Sequence, residues 1–172
     1  DVTQGKIVIG MDLTLEDIKQ KYDAIVYNAI LGGTANSKMF QEVREKASLA
    51  YSAGSTYLRY KGNIFIKCGI EIKNYKKALE IIRKQLKDMQ NGIFTDEDIE
   101  NAKKSIISGI RSIDDEQDTE ITYFFGQELT NEKISTEEYI KNIEKVAKED
   151  IIKIANSLQI NTIYFLKNKE ED

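Results

Sequence analysis

Arg44 and Tyr51 stand seven residues apart in the segment ILGGTANSKMFQEVREKASLAYSAGS, Ile30 to Ser55. They draw attention because so much other chemistry is missing. The chain has no histidine and a single cysteine, so it lacks the commonest metal ligand and the commonest general base at neutral pH. A self-contained zinc site, a Ser-His-Asp triad and a Cys-His pair are excluded. Carboxylates, Lys, Tyr, Ser and Thr are what remain. Residue type and spacing leave the pair open to a plain reading. A cation such as Arg44 is favoured at a helix C-terminus, and a tyrosine such as Tyr51 suits a strand.

Other patterns read as architecture. Gly32-Gly33 lacks both glycine-rich phosphate-loop spacings and follows a helical stripe, so it reads as a helix stop in which glycine takes the left-handed cap conformation. In IDDEQDTE, Asp114, Glu116, Asp118 and Glu120 alternate like the start of a calcium loop. Thr119 stands where that loop needs glycine and Phe125 where it needs glutamate, so the segment reads as a solvated helix junction. Lys73, Lys76, Lys77, Arg83, Lys84 and Lys87 cluster on the polar face of one predicted helix, opposite its apolar stripe. Cys68 shares strand parity with three isoleucines and reads as an inert core thiol.

These residues need elements to position them, and 172 residues suffice for one domain, taken as 1–172. The content is 41% hydrophobic and 31% charged, within the range of a globular domain. A net charge of −4 is the wrong sign for a nucleic-acid partner. No apolar run approaches the ~20 residues that span a bilayer, so no membrane partner is expected. No export signal is visible and the expected location is cytoplasmic. The first residue is Asp1, which fits a piece of a longer chain.

The alternation in Gln4–Met11 predicts a strand. Thr14, with Asp17 three residues on, opens a helix carrying Ile18, Tyr22, Ile25, Val26, Ala29 and Ile30 at helical spacing. A short helix runs from about Ser37 to Lys46. From Ala50 the period becomes two, placing Tyr51, Ala53, Ser55 and Tyr57 on one face of a strand. A second strand across RYKGN puts Ile64, Ile66, Cys68 and Ile70 on one face, making an antiparallel hairpin. Two long helices follow, striped by Tyr75, Leu79, Ile82, Leu86 and Met89 and then by Ile99, Ala102, Ile106, Ile110 and Ile113. Thr95 with Asp98 and Ser135 with Glu138 mark two further helix starts. A helix over about 149–158 and a closing strand, INTIYFL, complete the order. Strands at the start, middle and end without regular βαβ alternation predict an α+β fold: a largely antiparallel sheet with helices packed on one face.

The segment as a whole resembles the signature of the C-terminal halves of insulinase/pitrilysin-type (inverzincin) zinc metallopeptidases, which include processing peptidases and bacterial zinc proteases. The matching pieces are Leu31-Gly32-Gly33, Ser37-Lys38-Met39-Phe40, Arg44-Glu45-Lys46 and Leu49-Ala50-Tyr51-Ser52. The resemblance implies a half-enzyme. In that family the N-terminal half carries the H-x-x-E-H zinc motif, and the C-terminal half forms the opposite chamber wall. By this likeness the chain carries no cofactor of its own, and zinc belongs to the N-terminal half or partner. Arg44 and Tyr51 would be the substrate-binding residues. Tyr51 would donate to the scissile carbonyl as a catalytic contact completed by the other half. Arg44 would bind substrate carbonyls or a carboxylate through its donor fork. The implied partners are the N-terminal catalytic half or a homologous subunit, and a peptide or unfolded polypeptide.

One departure points to a second reading. Many active members have glycine two residues before the Ala-Tyr pair, where this chain has Ser48. REKASLAYSA resembles a bacterial subgroup that often lacks an intact zinc motif and pairs with an active relative. The chain is then a non-catalytic scaffold or partner subunit. Alone, it is expected to be inactive in either case.

Overall fold

In the computed structural model, which describes residues 4–17, 19–113, 121, 125–128 and 134–168, the alternating segment GKIVIGMDL forms strand β1, Gly5–Leu13. Its odd-numbered residues Ile7, Ile9, Met11 and Leu13 are buried, while Lys6 and Asp12 are exposed. β1 pairs antiparallel with β3 (Asn63–Ile70) on one side and with β4 (Leu158–Leu166) on the other. β2 (Ala50–Leu58) pairs antiparallel with β3, giving one sheet of order β2-β3-β1-β4. The β2–β3 hairpin turns through Arg59–Lys61 into Gly62, whose φ of 62° is a left-handed conformation that glycine reaches without strain. The Gly62 carbonyl accepts from the Leu13 N–H at 2.7 Å, tying the turn to the end of β1.

The predicted α+β class with a largely antiparallel sheet is what the chain forms. Ile64, Ile66, Cys68 and Ile70 are all buried on the face that Ile7, Ile9 and Met11 share. Cys68 is 2% exposed, and burial pushes its thiol up to about 12, as an inert core cysteine requires. The helices cover this face: α1 (Gln20–Asn28), α2 (Tyr75–Gln90), α3 (Asp96–Arg111), α4 (Thr136–Lys145) and α5 (Lys148–Ser157). α1 is buried on several sides because it meets β2, α3, α4 and α5. Its Tyr22 ring packs edge-on against Tyr139 of α4, centroids 5.3 Å apart. α2 buries Ala78, Ile82, Leu86 and Met89 and leaves Lys76, Lys77, Arg83, Lys84 and Lys87 exposed, as is Lys73 in the turn just before it. Thr95 and Asp98 exchange both bonds of a capping box at α3, and Ser135 caps α4 by accepting from the Glu138 N–H.

Several local expectations are corrected. The first helix begins at Gln20, not Thr14, because the Asp17 carboxylate accepts from the Lys19 N–H and bends the chain before the helix. Ile18 lies outside the described residues, as do Asp114, Glu116, Asp118, Thr119 and Glu120 of the calcium-like segment. Gly32-Gly33 is not a left-handed stop. α1 runs on as a wider π-type turn, Ala29–Gly33, and the chain leaves it at Thr34 in extended conformation. The positive-φ glycines among the described residues are Gly62 and Gly92. Gly32 is needed for another reason. A Cβ there would lie 2.4 Å from the backbone nitrogen of Ser55 and 2.8 Å from the carbonyl carbon of Gly54. The end of α1 therefore touches the β2 backbone directly.

The helix predicted over 37–46 is also π-type, Met39–Lys46. The Ala47 N–H reaches back to the Glu42 carbonyl and the Leu49 N–H to Val43, wrapping the chain around Ser48 at φ 52°. A left-handed non-glycine residue costs about 1–2 kcal/mol, offset here by the Ser48 hydroxyl donating to the Glu45 carbonyl. Ser48→Gly is therefore expected to raise stability by up to ~1 kcal/mol in denaturant unfolding. Gly32→Ala is expected to cost about 1–3 kcal/mol, since neither backbone can yield. Gly109→Ala in α3, where a Cβ meets nothing within 4 Å, should stabilise by roughly 0.5–1 kcal/mol. Thermal unfolding of the two alanine variants should move in opposite directions.

Asp23 on α1 supplies a pH prediction. Burial first, and then Asp150, raise its pKa from 3.8 to about 6, with Lys153 opposing. The folded state therefore takes up a proton before the unfolded chain does, and stability rises as pH falls from about 6 toward 3.8. Asp23→Asn should stabilise the chain near neutral pH by on the order of 1 kcal/mol after solvent screening. That gain should disappear in unfolding curves recorded below pH 3.8.

Candidate functional site

The joint between the π-helix Met39–Lys46 and β2 is where the sequence places its two candidate residues. Arg44 stands in the last turn of that helix, and its side chain is 43% exposed. Its guanidinium lies 4.5 Å from the centroid of the Phe40 ring, one turn earlier on the same helix, a cation–π contact that orients the fork. Nε is 3.6 Å from a Glu45 carboxylate oxygen, a loose surface pair that leaves most of the donors available.

Tyr51 is positioned by a break in the strand. Gly54 faces Lys67 and Ala53 faces Cys68, yet Ala50, not Tyr51, is the partner of Ile70. The ladder shifts between Ala50 and Ser52, so Tyr51 is the extra residue of a β-bulge. The expectation that Tyr51, Ala53, Ser55 and Tyr57 share one face is thus corrected at its first member. Ala53, Ser55 and Tyr57 sit opposite the buried Cys68, Ile66 and Ile64. Tyr51 is 57% exposed. Without the bulge it would lie opposite Ile70 on the covered face.

Arg44 and Tyr51 line one open cleft of about 350 Å³, together with Glu45, Ser48, Leu49 and Ala50. Glu71 and Asn74, just beyond β3, complete its wall. The pairing of Ala50 with Ile70 carries Glu71 to this end of the sheet. Glu71 holds Lys73 at 2.7 Å, and that hydrogen bond and charge raise the Lys73 pKa, with Tyr51 a smaller contributor. The cleft thus offers a guanidinium and a phenol as donors and two carboxylates as acceptors, a set that can hydrogen-bond a peptide main chain. Glu71 and Asn74 were not singled out from sequence, and Ser48 was noted only as a departure from the family's glycine. The hairpin register across RYKGN was the signal that could have found Glu71.

Zinc does not fit these residues. The sequence has no histidine, and among the described residues no group of three or more Cys, Asp or Glu side chains could hold a metal ion. Nor, among the described residues, is any helix long and apolar enough to cross a membrane.

Comparison with known proteins gives this geometry its setting. Residues 1–106 match the family model described as the peptidase M16 inactive domain. The chain is 40% identical over 171 residues to the "Probable inactive metalloprotease YmfF" of Bacillus subtilis (strain 168), covering 99% of this chain and 40% of that protein. It is 25% identical over 175 residues to an uncharacterized zinc protease of Streptomyces coelicolor, covering 97% of this chain and 38% of that one. The chain therefore spans about two fifths of the length of these relatives. A conserved protein from Enterococcus faecalis V583 superposes with a TM-score of 0.89 at 27% identity, covering 99% of this chain and 41% of that one. A shared fold over its whole length, the match to the family model and the relatives' names agree, and the chain belongs to the peptidase M16 family as its inactive, C-terminal type of domain.

Proposed function

We propose that this chain is the C-terminal half of a larger M16 protein and forms the wall of a chamber that holds a peptide against Arg44 and Tyr51. The observation that supports this reading is the convergence of the two side chains on one open cleft, with Tyr51 put there by a bulge that the strand does not otherwise need. A bulge interrupts ladder bonding, and a core-facing tyrosine would bury more apolar area. Bulges recur beside active sites because they re-aim a side chain. The phenol of Tyr51 would donate to a main-chain carbonyl oxygen, a bond that strengthens as negative charge develops there. Arg44 would contact carbonyls or a carboxylate through its fork, stiffened by the Phe40 ring.

A second reading is a non-catalytic partner that uses the same wall for binding or assembly. It is favoured by Ser48 at the position where the resemblance expects glycine, and by the inactive designation of the 40%-identical relative. In either reading any zinc would come from outside this chain, from an N-terminal half or a paired homologous subunit.

One expectation is common to both readings and a second separates them. Zinc-reloaded chain, after chelator treatment and dialysis, should retain no stoichiometric metal and hydrolyse no peptide. One tight zinc per chain would overturn the half-enzyme reading. In the full-length protein with its partner, Tyr51→Phe should lower kcat about 100- to 1,000-fold with little change in KM. Arg44→Ala should act mainly on KM. If the wild-type assembly shows no turnover and both variants merely weaken peptide binding, the scaffold reading stands. Unchanged behaviour of both variants would remove the pair from the site.

A further inference from the structure

At the other end of the sheet from Arg44 and Tyr51, the helical layer fails to cover its face fully. Ile160 of β4 pairs with Met11, whose side chain is in the core, yet Ile160 is 45% exposed. A register shift between Gly10 and Met11 leaves Asn161 out of the ladder beside it. The result is a cleft of about 170 Å³ between the C-terminal end of α2, α5 and the sheet, with Met11, Leu86, Ala155, Leu158 and Ile160 as its apolar lining.

The polar lining is one-sided. Arg83, Lys87, Gln90 and Tyr27 also border the cleft, and no carboxylate does. Among the described residues, Lys87 Nζ donates to the Gln90 side-chain oxygen Oε1 at 3.4 Å, and Gln90 Nε2 donates to the Ala155 carbonyl at 3.4 Å. Arg83 makes no ion pair among the described residues. Tyr27 is 1% exposed, and its hydroxyl meets no hydrogen-bond partner among the described residues. Tyr27 borders the cleft with the small part of its surface that remains accessible. Burial raises the Tyr27 pKa, so the group stays protonated and remains a donor. A solvated basic helix face accounts for Arg83 and Lys87 alone. It does not account for a phenol at the edge of an apolar cleft that no acceptor among the described residues engages, and which is free to donate to a ligand.

We propose that this cleft binds a carboxylate carried on a small apolar body. A cavity of about 150 Å³ accommodates benzene, so the body has about six non-hydrogen atoms, the size of a leucine or phenylalanine side chain. The headgroup is a monoanion, because a largely apolar pit with two cations at its edge does not repay desolvation of a phosphate dianion. Arg83 suits a carboxylate by its planar fork, and Tyr27 supplies a further donor. This chemistry has two sources: the C-terminal apolar residue of a polypeptide, or a free short-chain acid.

The test titrates the isotope-labelled chain with N-acetyl-leucine, with hexanoate and with the neutral N-acetyl-leucinamide, following backbone and methyl shifts at Leu86, Ala155 and Ile160. Either carboxylate should give saturable shifts there in the millimolar range. The amide should bind about tenfold more weakly, as expected for loss of one charge-assisted contact. Stronger binding of N-acetyl-leucine assigns the site to a polypeptide terminus, and stronger binding of hexanoate assigns it to a free acid. Tyr27→Phe and Arg83→Gln should each weaken the carboxylates several-fold. Arg83 is exposed, so its variant keeps the fold and carries the test even if Tyr27→Phe perturbs packing. No saturable shift with either carboxylate, equal binding of the amide, or an Arg83→Gln variant indistinguishable from the parent chain would overturn the proposal.

Discussion

The backbone of Gly32 lies against the backbone of Gly54 and Ser55, and the Ser55 hydroxyl donates to the Asn28 side-chain oxygen at 2.8 Å. This contact welds the end of the first helix to the middle of β2. Two backbones approach so closely only where no Cβ stands between them. The route of the chain depends on it. From Gly33 the chain must turn at Thr34, run through a short π-helix and re-enter the sheet as β2, all within the reach of that fixed point. Arg44 and Tyr51 lie on the two arms of this excursion, so their separation is set by the weld more than by their own contacts.

Wider helical turns serve the same geometry. Both helical segments flanking the weld close π-type rings, and such turns recur where a helix is under functional constraint. In Met39–Lys46 the last turn hands over through Ser48 in a left-handed conformation, a strained choice for a serine. The hand-over directs Leu49 into the core and starts β2 one residue out of register with β3. Packing on one side of the joint and exposure on the other are therefore products of a single path. The hydrophobic side is held by Met39, Val43 and Leu49, all buried; the polar side is left with Arg44, Glu45 and Tyr51.

The two clefts lie at opposite ends of the sheet and differ in kind. Around Arg44 and Tyr51 the lining mixes donors and carboxylates. Around Tyr27 and Arg83 it is apolar with donors only. α2 connects them: Asn74, just before it, borders the first, and its last turns border the second. The basic face of that helix, a plain solvated face by pattern, thus acquires a specific neighbour at one end.

Much of this was legible in the residues. Period-two alternation fixed β1 and β3 within a few positions, because a half-buried strand must alternate. Helical stripes located α2 and α3, because an amphipathic helix must repeat near 3.6. The capping box at Thr95 and Asp98 is a local pattern and was readable as such. Absence of histidine by itself excludes a self-contained histidine-ligated zinc centre. What could not be read were effects of contact between distant segments. Gly32 looks like a helix stop until β2 is placed against it. Tyr51 shares a face with Ala53, Ser55 and Tyr57 by parity until its pairing with β3 shows the extra residue. Glu71 joins the cleft only because Ala50 pairs with Ile70, and nothing in the residues around Tyr27 shows that it borders the second cleft. The sequence by itself determined the elements, their order and the chemistry that was impossible, since propensity and periodicity act over a few residues. The tertiary structure alone decided which side chains share a cleft, because register, bulges and backbone contact arise between segments that the chain brings together only on folding.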